Sequence, residues 1–208
     1  MKPSKPNTPP QTDAAIKKDT GKSFKEWFAI LDEAGGPALG RRALSQLVVI
    51  EPKAMLVTWG PSINFEYEKK HGIVEKDGRP KGYTICITKS IAAPPAAVYA
   101  VAGDGKTWKK WFGTNAKADV KEGGKYSCDD GDQGTFTRVR ENKDLRMTVE
   151  NPRHAGLDPY DIAFQVAPKD KTMLMVTINR IPSRELADEL RDSWTAAFDQ
   201  LKALVEGK

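Results

Sequence analysis

The C-terminal stripe constrains this chain most. Leu186, Leu190, Trp194, Phe198, Leu201 and Leu204 follow one another at steps of three or four, with Val205 beside the last, which is the spacing that lines one face of an α-helix. Ser183 after Pro182 suits an N-cap, and acidic residues crowd the early turns where the helix dipole favours them. Such a helix must bury its stripe, and the cover for it lies upstream. Tyr83, Ile85 and Ile87 alternate with Thr84, Cys86 and Thr88, the period of a half-buried strand. Pro94-Pro95 then opens a short helix carrying Val98, Tyr99 and Val101. Strand-like runs recur at 125–128, 134–140, 145–150, 162–166 and 173–178, separated by turn compositions such as Glu122-Gly123-Gly124 and Asp129-Asp130-Gly131. The order predicts an α+β domain over residues 83–208, an antiparallel sheet curled around one long helix, because the sheet's apolar face and the helix stripe each need a cover.

The N-terminal part reads differently. Residues 1–19 hold four prolines and almost no apolar side chains, so they are expected to form a disordered tail. Ser23-Phe24-Lys25-Glu26 has the spacing of a capping box, and Phe24, Trp27, Phe28 and Leu31 share one helical face before Gly35-Gly36 ends the run. A second helix is expected from Leu39 to Ile50, stopped by Pro52. A third should start near Lys53, break at Gly60-Pro61 and end at Gly72. Residues 20–72 thus form a small helical accessory domain, and the turn-rich stretch 73–82 a linker.

Charge and cysteine usage exclude several classes. The net charge is +5, but residues 1–22 supply +3 of it, leaving +1 on residues 23–82 and +1 on residues 83–208. Duplex recognition needs a basic face that neutralises several phosphates, so nucleic acid is not an expected partner. No apolar run approaches the roughly 20 residues of a membrane span, and no secretory leader pattern opens the chain. A cytoplasmic protein without membrane partners is the expectation. Cys86 and Cys128 should then stay reduced. The two histidines, His71 and His154, have no Cys near them at zinc-ligand spacing, so neither a metal nor any other cofactor is expected.

Several segments together resemble a known family. Ile91-Ala92-Ala93-Pro94-Pro95-Ala96-Ala97-Val98-Tyr99, Trp108-Lys109-Lys110-Trp111-Phe112-Gly113, the Glu122-Gly123-Gly124 turn and Trp194-Thr195-Ala196-Ala197-Phe198-Asp199-Gln200-Leu201 are similar to the AHSA branch of the START-like (SRPBCC) superfamily, named for activators of a heat-shock-protein ATPase. The resemblance spans residues 83–208 and implies the helix-grip fold. Its members include lipid carriers, hormone receptors, aromatic cyclases and co-chaperones, so function must be argued from the site. Residues 20–72 are similar to a small bacterial helical domain sometimes fused to START-like domains.

The candidate ligand-binding residues are aromatic or thioether side chains expected around the curled sheet: Tyr99, Trp108, Trp111, Phe112, Tyr126, Phe136, Met147, Phe164, Met175, Trp194 and Phe198. They could line a pocket for an apolar or aromatic small molecule, or simply plug the core. No nucleophile stands beside a base. His154 reads as a solvated loop histidine, and Asp129-Asp130-Gly131-Asp132 as a hairpin turn, since a calcium loop would need a Glu where Arg140 stands. Gly21-Lys22-Ser23 lacks the earlier glycine of a phosphate loop, position 16 being Ile. The leading expectation is a non-enzymatic protein that binds an apolar small molecule. The alternatives are a co-chaperone docking on a heat-shock ATPase or another protein, and a cyclase- or hydratase-like enzyme.

Overall fold

The computed structural model describes residues 11–50, 53–167 and 171–207. The described chain divides into two compact units, one ending at Tyr83 and the other beginning at Thr84.

The first unit is helical. It comprises α1 (Asp13–Thr20), α2 (Phe24–Glu33), a 3-10 turn (Gly36–Leu39), α3 (Gly40–Leu47) and α4 (Lys53–Lys70). The capping box forms as the spacing predicts: Ser23 Oγ accepts from the Glu26 amide, and Glu26 accepts from the Ser23 amide at 2.7 Å. Two expectations need correction here. Residues 13–19 belong to a helix, not to a tail, whereas residues 1–10 lie outside the described residues. Thr12 caps α1, Gly21 ends it with a left-handed φ of 77°, and Ile16 is fully buried. Two indoles fix it further, as Trp27 Nε1 donates to Thr20 Oγ1 and Trp59 Nε1 to Asp19 Oδ2, each at 3.0 Å. The break at Gly60-Pro61 is also absent, because α4 runs through Pro61. Proline removes one backbone donor, but Trp59, Ile63 and Tyr67 lie four residues apart on one fully buried stripe, and their burial outweighs that loss. Pro52, expected to stop the second helix, lies outside the described residues; α3 already ends at Leu47.

The second unit is the curled sheet. Strands β1 (Tyr83–Ile91), β2 (Lys117–Ala118), β3 (Lys125–Ser127), β4 (Gln133–Arg140), β5 (Asp144–Met147), β6 (Tyr160–Ala167) and β7 (Lys171–Ile181) lie in the order β1-β7-β6-β5-β4-β3-β2. Thus β2 to β7 form an antiparallel meander, and β1 closes on β7. Helices α5 (Pro95–Ala102) and α6 (Trp108–Trp111) fill the crossover from β1 to β2. The long α7 (Arg184–Glu206) packs on α5, α6 and β7. Ser183 caps α7 by accepting from the Leu186 amide, and Gly207 closes it in the left-handed region. Its buried stripe is Ala187, Leu190, Trp194, Ala197, Phe198 and Leu201, whereas Leu204 lies past the core and is exposed. The sheet and its helix therefore take the helix-grip arrangement.

Candidate functional site

The interior of the sheet unit is an aromatic cluster. Helix α6 supplies Trp108 and Trp111, its last turn Phe112, β3 Tyr126, β4 Phe136, and α7 Trp194 and Phe198. Trp108 sits at the centre, with ring centroids 4.6 Å from Phe112, 5.1 Å from Trp111, 5.4 Å from Phe136 and 5.7 Å from Tyr126. Phe112 reaches Trp194 at 5.8 Å, and Trp194 reaches Phe198 at 5.5 Å. These are the offset and edge-to-face separations that aromatic pairs prefer. All seven rings are buried, as is Met147 on β5.

Three other predicted residues sit apart from this cluster. Tyr99 is half-buried and stacks edge-on against the buried Phe164 at 5.6 Å. Met175 does not share the inward face. The alternation of β7 buries Thr172, Leu174, Val176 and Ile178 and leaves Met173 and Met175 in the opposite phase, half-buried. Tyr160 is the member that pattern reading overlooked. It opens β6 in phase with buried Ile162 and Phe164, and its ring lies 5.7 Å from Trp194.

The polar handles of the cluster are unevenly served. Trp108 Nε1 donates to the Ala102 carbonyl at 2.9 Å and Tyr126 Oη to the Thr148 carbonyl at 2.7 Å. Trp111 Nε1, Trp194 Nε1 and Tyr160 Oη are buried with no hydrogen-bond partner among the described residues. Burial, with the Asp132 charge in second place, pushes the phenols of Tyr126 and Tyr160 well above their ordinary range.

Asp132 belongs to a buried polar group at one end of the cluster, which corrects the solvated reading of His154; the 129–132 segment is a turn as expected, with Asp129 and Gly131 exposed and Asp132 buried. His154 lies in a 3-10 turn (Pro152–His154) capped by Asn151, and both His154 and Asp132 are 7% exposed. His154 Nδ1 stands 3.2 Å from Asp132 Oδ1, close enough for an ion pair although the N–H is not aimed along that line. Asn151 Nδ2 donates to the same oxygen at 2.8 Å. Burial raises the Asp132 pKa, but the His154 and Asn151 contacts outweigh it and hold the carboxyl below its usual range. Arg153 beside them pairs with Glu189 of α7. Among the described residues no His, Cys, Asp and Glu group could hold a metal ion. Cys86 is exposed on β1, and Cys128, one residue past β3, is half-buried; both are free thiols. No helix of the described residues is long and apolar enough to cross a membrane.

A curled sheet gripping a long helix around an aromatic interior defines a START-like binding module. Residues 92–206 match the model of the Activator of Hsp90 ATPase homolog 1-like proteins, and the chain belongs to that family. The fold is similar to that of the Aha1 dimer from Colwellia psychrerythraea, with a TM-score of 0.53 at 16% identity over 60% of this chain and 96% of that one. An HSP90 activator from Plasmodium falciparum gives a TM-score of 0.50 at 22% identity over 61% and 97% of the two chains. CalU16 from Micromonospora echinospora gives 0.50 at 21% identity over 60% and 66%. No curated protein matches the sequence.

Proposed function

We propose that this chain is a docking module that acts on a protein partner, of the heat-shock-ATPase class that its family is named for, through the outside of its START-like unit. The observation that carries the reading is the packed interior: seven aromatic rings are buried against one another inside the START-like unit. Ligand pockets of small-molecule carriers run to about 300–1,000 Å³, and rings in mutual contact disfavour an interior space of that size. The family membership supports the partner class.

A direct test measures ATP hydrolysis by a bacterial Hsp90-type ATPase with and without the full chain, together with binding of the two proteins. The expected result is saturable binding and a raised hydrolysis rate. Neither binding nor stimulation, with both proteins folded, would end the reading.

A second reading, the apolar small molecule, draws on the three unpartnered polar atoms Trp111 Nε1, Trp194 Nε1 and Tyr160 Oη. A ligand bearing acceptors could satisfy them after displacing a ring. Saturable uptake of an environment-sensitive apolar dye by the wild-type chain, lost in Trp111→Ala, would favour this reading over docking.

A further inference from the structure

One end of the sheet gathers three lysines that stand in no ion pair among the described residues. All seven described arginines of residues 84–207 stand in ion pairs. Lys89, Lys121 and Lys202 are paired as well. Lys106, Lys109 and Lys117 have no ion-pair partner among the described residues, and all three line one open groove of about 740 Å³ beside β2. Of Asp104, Asp119 and Asp129 only Asp119 is paired with a cation among the described residues, and the three lysines outnumber Asp129, the one carboxylate that lines the groove. Asp104 accepts from the Lys106 amide at 3.0 Å, Asp119 pairs with Lys121 at 2.8 Å, and Asp129, which lines the groove, accepts from Asn115 Nδ2 at 2.6 Å.

The groove is built on a firm base. Lys106 comes from the α5–α6 loop, Lys109 from α6 and Lys117 from β2. Gly105 presses that loop onto the strand so closely that a Cβ there would stand 1.7 Å from the Ala118 carbonyl oxygen. Thr107 Oγ1 ties the same loop to the Val101 carbonyl at 2.6 Å. Three cationic tips are thus carried by segments whose backbones are fixed to one another, which lowers the ordering cost of engaging all three together.

We infer that this groove docks an acidic peptide segment of a protein partner. The inference rests on the docking function proposed above and names the chemistry of its contact. Peptide fits better than single-stranded nucleic acid. The nearest rings, Trp108 and Tyr126, are buried, so no stacking platform faces the groove as single-stranded nucleic acid requires.

The experiment titrates the full chain with a labelled short Glu-rich peptide and its Gln counterpart, following fluorescence anisotropy. Wild type should bind the Glu peptide saturably, more weakly as salt rises, and should not bind the Gln peptide. K106E/K109E/K117E should weaken the Glu peptide by about tenfold or more, since each exposed pair contributes up to about fivefold. K106Q/K109Q/K117Q should show a smaller loss, and K143E/K171E, on lysines that do not line the groove, none. Equal binding by the triple Glu variant, or an equal loss in the control, overturns the proposal. So does displacement of the labelled peptide by inorganic phosphate or a single-stranded oligonucleotide at lower concentration than the unlabelled Glu peptide requires, which would assign the groove to phosphate groups. The two readings fail separately. A triple Glu variant that loses the peptide yet binds the heat-shock ATPase as wild type does removes the groove from the docking surface. Lysine-dependent peptide binding by a chain that binds no such ATPase removes the partner class and keeps the groove.

Discussion

The two units solve the same problem, burying large aromatic side chains that carry a polar atom, with different completeness. In the helical unit each such atom of the buried rings has a partner: Trp27 Nε1 reaches Thr20, Trp59 Nε1 reaches Asp19, and Tyr67 Oη donates to Asp32. In the START-like unit Trp108 and Tyr126 are served, while Trp111, Trp194 and Tyr160 are not. A buried polar group left unpaired costs about 1–3 kcal/mol. The first core therefore satisfies the polar atoms of its buried rings within the protein, and the second does so only in part. Departures of that kind concentrate where a molecule does something besides fold.

The largest expected effect tests how full the second core is. Trp108→Ala should destabilise the START-like unit by about 3–5 kcal/mol in urea unfolding, because Trp108 touches four other rings and its loss leaves a cavity. A loss below about 1 kcal/mol would mean that the core collapses readily and is not the packed body described here. Next comes the buried polar group. Because the Asp132 carboxyl is held below its usual range in the fold, its ionised form contributes stability at pH above the ordinary carboxyl value, and that contribution disappears as pH falls through the folded pKa. Asp132→Asn should cost about 1–3 kcal/mol at neutral pH. It should also flatten the fall in stability that the wild type shows as pH drops below the ordinary carboxyl value of about 4. An unchanged acid slope would show that Asp132 is not held this way. The smallest effect goes to the centre of the comparison. Tyr67→Phe removes a hydrogen bond to a half-exposed carboxylate and should cost about 1 kcal/mol. Tyr160→Phe deletes an unpartnered hydroxyl and should be neutral or stabilising. Equal losses at the two positions would erase the distinction between the cores. The Tyr67 hydroxyl, pushed up to about 12 by burial first and Asp32 second, should resist alkaline ionisation, which absorbance near the phenolate band would follow.

Elements whose side chains carry a strong period were legible in the residues. The stripe from Leu190 to Leu201 and the alternation of Tyr83, Ile85 and Ile87 placed α7 and β1, because both periods follow from burying one face. Turn residues placed the meander. What escaped depended on contacts distant in sequence. Helix α1 has one apolar anchor, Ile16, among charged neighbours, and two of its polar residues are held by indoles up to 40 positions away. The two residues of β2 carry no period at all. Strand alternation would have placed Tyr160 inward, but it stands at the very start of β6. Asp132 and His154 each look like turn residues, and nothing local announces that the fold brings them to 3.2 Å. The candidate aromatics of α6, β3, β4 and α7 meet in one cluster, whereas Met175 lies in the opposite phase to the buried face of β7, a one-residue choice that a strand apolar on both faces leaves open.

The meeting of β1 with β7 has a consequence for synthesis. The end of β1 and the turn after it are held by β7 and α7: Thr172 Oγ1 donates to the Ala93 carbonyl at 2.7 Å, Lys202 Nζ to the Ser90 carbonyl at 2.7 Å, and the Ala92 amide to Glu206 at 2.9 Å. A growing chain emerges at about 5–20 residues per second. For several seconds, then, β1 waits with its ladder unpaired, and its inward face of Tyr83, Ile85 and Ile87 stays uncovered until the last strand and helix leave the ribosome. This unit closes from its C-terminus, and a stalled or truncated product presents an open strand edge to its neighbours.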